Sequence, residues 1–322
     1  MQKRNRSLLA ALLLVAAGCA DEAESKSASE QLNAQAQLSC DDAGAEIPET
    51  DASIPDEEND AGTPPSDGPA PTIPAFNGTC PEFRTGTATI GGLAGISLQV
   101  GAKKNGTGSL VFYWHGTGSF AGESNIMLPA AVRQEILNQG GIIVSPQRST
   151  RRGGDCSGTA TFSKGDFEIA DQIVACAVKN HNIDPRRIYT TGCSAGGLQA
   201  GCMASLRSSY IAAAVPNSGG IVFPQQIQDP KHVPALMTMH GGAADMVIVA
   251  FSQTSATLGR QFARAGGYVL NCNHGGMHCG APAALYRAGW QFMKDHPFGT
   301  KPSPYERGLP SGFPNTCRRV TQ

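Results

Sequence analysis

Ser194 stands at the centre of a run of small residues, GCSAGG (192–197). A strand-like segment, 187–191, precedes the run, and a helix-like segment, 198–206, follows it. A serine on a sharp strand-to-helix turn adopts strained backbone angles, and glycines two residues to either side let the two elements approach each other. The helix also directs its first amides toward the serine, where a negative oxygen can form. The pattern predicts a nucleophile elbow, and a glycine-rich turn without chemistry is the alternative.

A serine hydroxyl becomes a nucleophile when a base accepts its proton, and that base needs an acid to hold its tautomer. Asp245 follows the apolar run 235–239 through a short loop, and no other acidic residue lies between Asp229 and Asp295. We therefore predict Asp245 as the acid. A solvent-exposed loop aspartate is the alternative.

Two histidines, His274 and His278, lie in the loop after the strand-like run 268–271. We predict His278 as the base, because the pair Gly275-Gly276 lets it reach back over the sheet and because it lies just before the last helix. His274 is the alternative base, or a supporting or structural histidine.

The same loop has a rival interpretation as a metal site. Cys272, His274, His278 and Cys279 form a plausible set of two cysteine and two histidine ligands for zinc. An exported protein favours oxidised cysteines, and Ser194 with Asp245 already requires a histidine here. We therefore expect no metal, with a zinc-binding variant as the alternative.

A glycine-containing loop follows the strand-like run 110–114. Its glycines allow backbone amides to face inward, so the N–H of Thr117 is predicted to join that of Ala195 in an oxyanion hole. His115 is predicted to shape this loop and not to act as the base.

Strand-like and helical segments alternate from Cys80 onward, which predicts an α/β fold with a mostly parallel sheet and helices on both faces. Asn105-Gly106 between the first two strands is a hairpin signal that would make the first strand antiparallel. The predicted strands lie near 96–100, 110–114, 141–144, 188–191, 212–216, 235–240 and 268–272. The predicted helices lie near 128–138, 167–179, 195–206, 254–265 and 283–294.

Five segments, in order, carry a resemblance to a known group: FYWHGTGS, DPRRIYTTGCSAGG, AAAVPNSGG, MHGGAADMVI and NHGGMHCGAP. They resemble the polyhydroxybutyrate depolymerase and feruloyl esterase group of secreted α/β-hydrolases, over most of residues 80–296. The resemblance implies the α/β-hydrolase fold, Ser194 as nucleophile, Asp245 as acid and His278 as base, and ester hydrolysis without a metal or organic cofactor.

The expected activity is therefore that of a serine esterase acting on carboxylic esters of feruloyl, acetyl or hydroxyalkanoate type. The chain has two tryptophans, and this scarcity favours soluble or polysaccharide-linked esters over solid polyester. The alternative function is a non-catalytic, surface-anchored binding lipoprotein that keeps a hydrolase fold.

The beginning of the chain predicts export. Residues 1–18 combine basic residues with an apolar stretch and end before Cys19, which resembles a lipoprotein signal with lipidation at Cys19. An ordinary secretory peptide is the alternative. Residues 19–75 are acidic and poor in large apolar residues, which predicts a disordered tether, and 76–322 form the predicted catalytic domain.

The net charge of −1 combines two opposed parts, because 14 acidic residues and one basic residue lie between 20 and 79. From Cys80 onward 21 basic residues face 12 acidic ones. No recognition motif accompanies this basic domain, so we expect no nucleic-acid partner, and membrane contact only through the lipid anchor. The ester substrate is the expected partner, and the oligomeric state is not predicted.

Ten cysteines in an exported chain predict disulfides. Excluding Cys19 leaves an odd number, and Cys40 in the tether is the expected unpaired one. We predict that Cys80 pairs with Cys317, tying the ends of the domain together, and that Cys156 pairs with Cys193.

Overall fold

The computed structural model describes residues 68–106 and 108–322. The predicted signal 1–18, the lipidation site Cys19, Cys40 and most of the predicted tether lie outside the described residues. Within them, no helix is both long enough and apolar enough to cross a membrane. Backbone contacts with the domain begin before residue 76, since the carbonyls of Gly68 and Pro69 accept hydrogen bonds from Arg186.

Across the described residues the strands form one sheet of nine, in the order β1-β2-β4-β3-β5-β6-β7-β8-β9. The six central strands, β4, β3, β5, β6, β7 and β8, run parallel to one another. Antiparallel strands complete both edges of the sheet. The strands are β1 (Gly86–Ile90), β2 (Leu93–Val100), β3 (Gly108–Trp114), β4 (Ile142–Ser145), β5 (Ile183–Cys193), β6 (Ala213–Asn217), β7 (Ala235–His240), β8 (Val269–Asn273) and β9 (Cys317–Arg319).

Helices cover both faces of this sheet, as the near-continuous apolar strands require. Alternate residues of β3 enter two different cores: Phe112 packs with α3, α4 and α5, whereas Val111 packs with α2 and α6. The helices are α1 (Ser124–Met127), α2 (Ala130–Asn138), α3 (Asp166–His181), α4 (Ala195–Leu206), α5 (Phe251–Arg264) and α6 (Ala283–Asp295). The predicted α/β-hydrolase fold class, a mostly parallel sheet with helices on both faces, is confirmed.

The hairpin predicted at Asn105-Gly106 is wrong. The strand before it, β2, is antiparallel as expected, but it pairs with β4 and not with β3. Both flanks of β3 are occupied by the parallel strands β4 and β5, so the chain must cross over β4 between β2 and β3. The edge strands β1 and β9 were not predicted.

The described residues contain four disulfides, and both predicted pairings are wrong. Cys317 lies on the edge strand β9 and is bonded to Cys272, directly opposite it on β8, whereas Cys80 is bonded to Cys176 on α3. The other two bonds join Cys156 to Cys202 on α4, and Cys193 to Cys279.

Two buried histidines make the stability of this fold dependent on pH. Burial lowers the pKa of both His232 and His296 to about 4. His296 also lies within hydrogen-bonding distance of the Phe292 carbonyl and the Ser303 hydroxyl. Since the unfolded chain binds these protons near pH 6.5, the stabilisation is complete above that pH and is lost as the pH falls toward 4.

We expect His296→Gln to flatten this dependence. The variant takes up one proton fewer than the wild type when it unfolds. The slope of its free energy of unfolding against pH should therefore be smaller by up to about 1.4 kcal/mol per pH unit between pH 6.5 and 5. Urea titrations of the oxidised protein across this range measure the slope. An unchanged slope in the variant would contradict the assignment, and His232→Gln provides the parallel case.

Candidate active site

Ser194 occupies the single residue between the end of β5 and the start of α4, with φ 58° and ψ −123°. Its N–H donates to the Asn217 carbonyl at 3.2 Å. The helix can start here only because Gly196 lacks a side chain, since a Cβ at that position would lie 1.8 Å from the carbonyl oxygen of Trp114. A Cβ on Gly192 would lie 2.3 Å from the same oxygen. These contacts bring the serine to the carboxyl edge of the sheet in the geometry of a nucleophile elbow.

Asp245 and His278, on the loops after β7 and β8, are hydrogen-bonded: the Nδ1–H of His278 donates to Oδ1 at 2.7 Å. The Asp245 side chain is 0% exposed. Its other oxygen accepts hydrogen bonds from the Ser218 hydroxyl at 2.8 Å and from the Gly241 N–H at 2.9 Å. Three donors therefore compensate for the burial of this carboxylate.

A disulfide brings His278 to the serine turn. Cys193 and Cys279, whose Cα atoms are 5.8 Å apart, each adjoin one of the two functional candidates. A ring nitrogen of His278 lies within 4.8 Å of the Cys193 sulfur, and the Phe251 ring packs 4.6 Å from the imidazole. Within the described chain, no hydrogen bond joins the Ser194 hydroxyl to His278. Proton transfer between them therefore requires the two side chains to approach each other.

Ser218 is a site residue that the sequence reasoning missed. It follows β6, has φ 41°, and its hydroxyl donates to Asp245 while accepting the N–H of Cys279 at 2.9 Å. Its neighbour Asn217 donates to the Cys279 carbonyl and to the Tyr286 hydroxyl. The signal was available, because two polar residues at the carboxyl end of an apolar strand stand where site residues gather in parallel sheets.

The two predicted oxyanion residues adjoin residues of the serine turn: Ala195 follows Ser194, and Thr117 follows Gly116, which lies beside it. Ala195 is the first residue of α4, where an amide has no acceptor within the helix. The loop carrying Thr117 approaches from β3, and a Cβ on Gly116 would lie 3.6 Å from the Cβ of Ser194. Thr117 is exposed, and in the described part of the chain its N–H donates to no acceptor. His115 is buried in this loop.

His274 has a different hydrogen-bond partner from His278. Its Nδ1 accepts the Gly276 N–H, and burial lowers its pKa. The two cysteines of the alternative zinc site, Cys272 and Cys279, are both in disulfides: Cys272 is bonded to Cys317, and Cys279 is bonded to Cys193. These two sulfurs are not free thiolates, so the four residues do not form a tetrahedral donor set.

An apolar rim surrounds this edge of the sheet. The large apolar side chains that are most exposed all belong to segments that leave the carboxyl ends of the strands, the short helix α1 among them, whereas both tryptophans are buried. Exposed apolar residues gathered at one edge of a sheet are typical of a contact surface. The rim consists of Phe120, Ile126, Phe223, Met246, Val247, Ile248 and Met277, with exposed fractions of 51–83%.

The fold is similar to that of several solved structures. The structure of native pOPH matches with a TM-score of 0.56 at 17% identity, over 76% of this chain and 98% of that one. Native sOPH matches at 0.53 and 17%, over 75% and 96%. A thermostable esterase matches at 0.50 and 19%, over 67% and 63%.

No protein-family model matches the sequence, and no curated protein matches it. At identities this low, the similarity to solved structures concerns the arrangement of helices and strands. The strand order, the elbow between β5 and α4 and these structural matches lead to one conclusion: the chain has the α/β-hydrolase fold.

Proposed function

We propose that the protein is a serine esterase with Ser194, Asp245 and His278 as its catalytic triad. The observation that carries the proposal is the hydrogen-bonded Asp245–His278 pair, held by the Cys193–Cys279 disulfide at the strained turn of Ser194. The order serine, acid, histidine along the chain, with each residue following a strand, is that of an α/β-hydrolase triad.

The mechanism follows from the roles of the three groups. His278 accepts the proton of Ser194 as the serine oxygen attacks the ester carbonyl, and the amides of Thr117 and Ala195 stabilise the resulting oxyanion. Asp245 orients the imidazole and stabilises its protonated form. His278 then protonates the leaving alcohol, an acyl-enzyme remains, and a water molecule deprotonated by His278 releases the acid.

The apolar rim supports esters with an apolar acyl or alcohol part. Of the feruloyl, acetyl and hydroxyalkanoate esters, we favour feruloyl and hydroxyalkanoate esters, because their acyl groups offer more apolar surface to the rim than acetyl does. One related solved structure, of a serine-to-alanine variant of pOPH, is described as a complex with pNPB. We assign the rim to the substrate and not to a protein partner, because a protein bound across the rim would cover Ser194.

We further propose that the protein is exported and attached to a bacterial cell membrane by a lipid on Cys19. Disulfides persist in oxidising compartments, and all eight cysteines in the described residues are in disulfides. The division into signal (1–18), tether (19–75) and catalytic domain (76–322) belongs to this proposal.

Substitution of the nucleophile tests the proposal directly. We expect Ser194→Ala to abolish labelling by a fluorophosphonate probe and to lower kcat on p-nitrophenyl esters by at least about 10⁴-fold, with Asp245→Asn of similar effect. Steady-state assays and gel-based labelling measure these changes. If the folded wild-type protein neither reacts with the probe nor hydrolyses any ester, the binding-lipoprotein alternative takes its place.

The Cys193–Cys279 disulfide is expected to support catalysis. Replacing both cysteines by serine frees the loop of His278 from the serine turn, and kcat should fall roughly 10- to 100-fold because catalytic groups tolerate little displacement. The matched control is the double serine variant of Cys80 and Cys176, which lies away from the site. Equal kcat in the two double variants would show that the bond near Ser194 has no catalytic role.

The rim is expected to contribute to selectivity for large acyl groups. Val247→Ser combined with Ile248→Ser should lower kcat/KM for a hexanoate ester by about three- to tenfold, because apolar contact with the chain is lost. The value for the acetate ester should stay within twofold. Comparison of the two esters in one variant serves as the internal control, and equal losses on both would argue against contact between rim and substrate.

A further inference from the structure

The loop that carries Thr117 is a tight turn. The Gly116 carbonyl accepts the N–H of Ser119 at 3.1 Å, and Gly118 has φ 78°, a conformation that favours glycine. Thr117 and Gly118 thus occupy the two corners of the turn. The direction of the Thr117 N–H depends on how Gly116 is held, because the peptide plane that contains this N–H also contains the Gly116 carbonyl.

Glu123 holds the amide side of Gly116. The carboxylate accepts the Gly116 N–H with both oxygens, at 3.2 and 3.0 Å, and accepts the Tyr113 hydroxyl at 2.8 Å. Glu123 is only 8% exposed, and the mechanism above does not use it. Burial of a charged group is costly unless it is hydrogen-bonded. Here three of the lone-pair directions are occupied by groups of the loop and of β3.

His115 holds the carbonyl side of the same residue. Its Nδ1 lies 2.8 Å from the Gly116 oxygen, and its Nε2 lies 3.1 Å from the carbonyl oxygen of Gln147. The Phe162 ring packs 5.0 Å from the imidazole. Gly116 is therefore hydrogen-bonded to Glu123 on one side and flanked by the buried His115 ring on the other, whereas the next amide, that of Thr117, faces no acceptor in the described residues.

The held residue is also the one next to the nucleophile. A Cβ on Gly116 would lie 3.6 Å from both the Ser194 Cβ and a carboxylate oxygen of Glu123. The Glu123 carboxylate is thus close to the place where the proposed oxyanion forms. An uncompensated negative charge there would destabilise the oxyanion. The hydrogen bonds from Gly116 and Tyr113 offset the charge of Glu123, and the bond to Gly116 fixes the loop whose Thr117 N–H is proposed to stabilise the oxyanion.

We propose that Glu123 is the positioning residue of the oxyanion hole: by fixing the Gly116 amide it aims the Thr117 N–H at the carbonyl oxygen of an ester bound to Ser194. The proposal rests on the proposed esterase function and adds to it a residue that does not touch the substrate. Its effect is preorganisation, which means that the amide is in place before the charge develops.

The test compares Glu123→Ala, Glu123→Gln and, as the matched control, Glu135→Gln. Glu135 is a partly exposed acid of α2 paired with Lys294. We expect Glu123→Ala to lower kcat about 100-fold with KM within about twofold, as loss of an oxyanion donor does. Glu123→Gln keeps one carbonyl acceptor for the Gly116 N–H and should recover about a tenth of the wild-type kcat or more. The control should match the wild type.

Two further measurements separate positioning from a merely structural role. Affinity for a trifluoromethyl ketone, which forms a tetrahedral adduct on the serine, should fall in Glu123→Ala in proportion to kcat/KM. Amide hydrogen exchange in residues 116–119 should accelerate, while exchange in the strands stays unchanged. A folded Glu123→Ala variant with wild-type kcat, or with ketone affinity unchanged, would overturn the proposal.

A wrong esterase assignment would give different results from a wrong role for Glu123. In that case the wild-type protein and Ser194→Ala would be equally inactive toward esters and toward the fluorophosphonate probe, whatever residue stands at 123. Hydrogen exchange of residues 116–119 would still report whether Glu123 holds the turn. Unchanged exchange in Glu123→Ala would reject the positioning role without any activity measurement.

Discussion

The close contact between the start of α4 and the carboxyl end of β3 is the constraint on which the rest of the site depends. A single carbonyl oxygen, that of Trp114, occupies the space that side chains at 192 and 196 would need. This contact forces the intervening serine into a strained conformation. It also sets how far the other loops must extend, because each has to reach a nucleophile that projects at one fixed point of the sheet edge.

Three loops reach that point, and each is fixed by polar or covalent links in addition to the packing of aromatic rings. Ser218 connects the acid to the loop of the histidine through one hydroxyl. A disulfide connects that loop to the serine turn, and Glu123 with His115 fixes the loop from β3. The large apolar residues of these loops are exposed, so directional bonds provide the precision that a hydrophobic core provides elsewhere.

The sequence allowed prediction of what is local. The strand, the small residues and the helix around Ser194 are contiguous, and the alternation of strands and helices determines a parallel sheet. The pairing of cysteines that are distant along the chain could not be predicted. Cys193 pairs with Cys279, 86 residues away, and nothing in the spacing distinguishes that pairing from Cys156. Glu123 was missed for another reason, because its hydrogen bonds to Gly116 depend on how the intervening turn folds, and the sequence does not show that. The short strand β9 has no pattern of its own and exists through its pairing with β8.

The bond between Cys193 and Cys279 has a consequence for when the site becomes complete. Thiols stay reduced in the cytoplasm, and the bond forms only where an oxidant is present. A chain still inside the cell would fold with the histidine loop untethered from the serine turn. On the proposed function, the enzyme therefore has roughly a tenth or less of its activity until it is exported, and the late formation of the bond limits hydrolysis of the producing cell's own esters without a separate inhibitor.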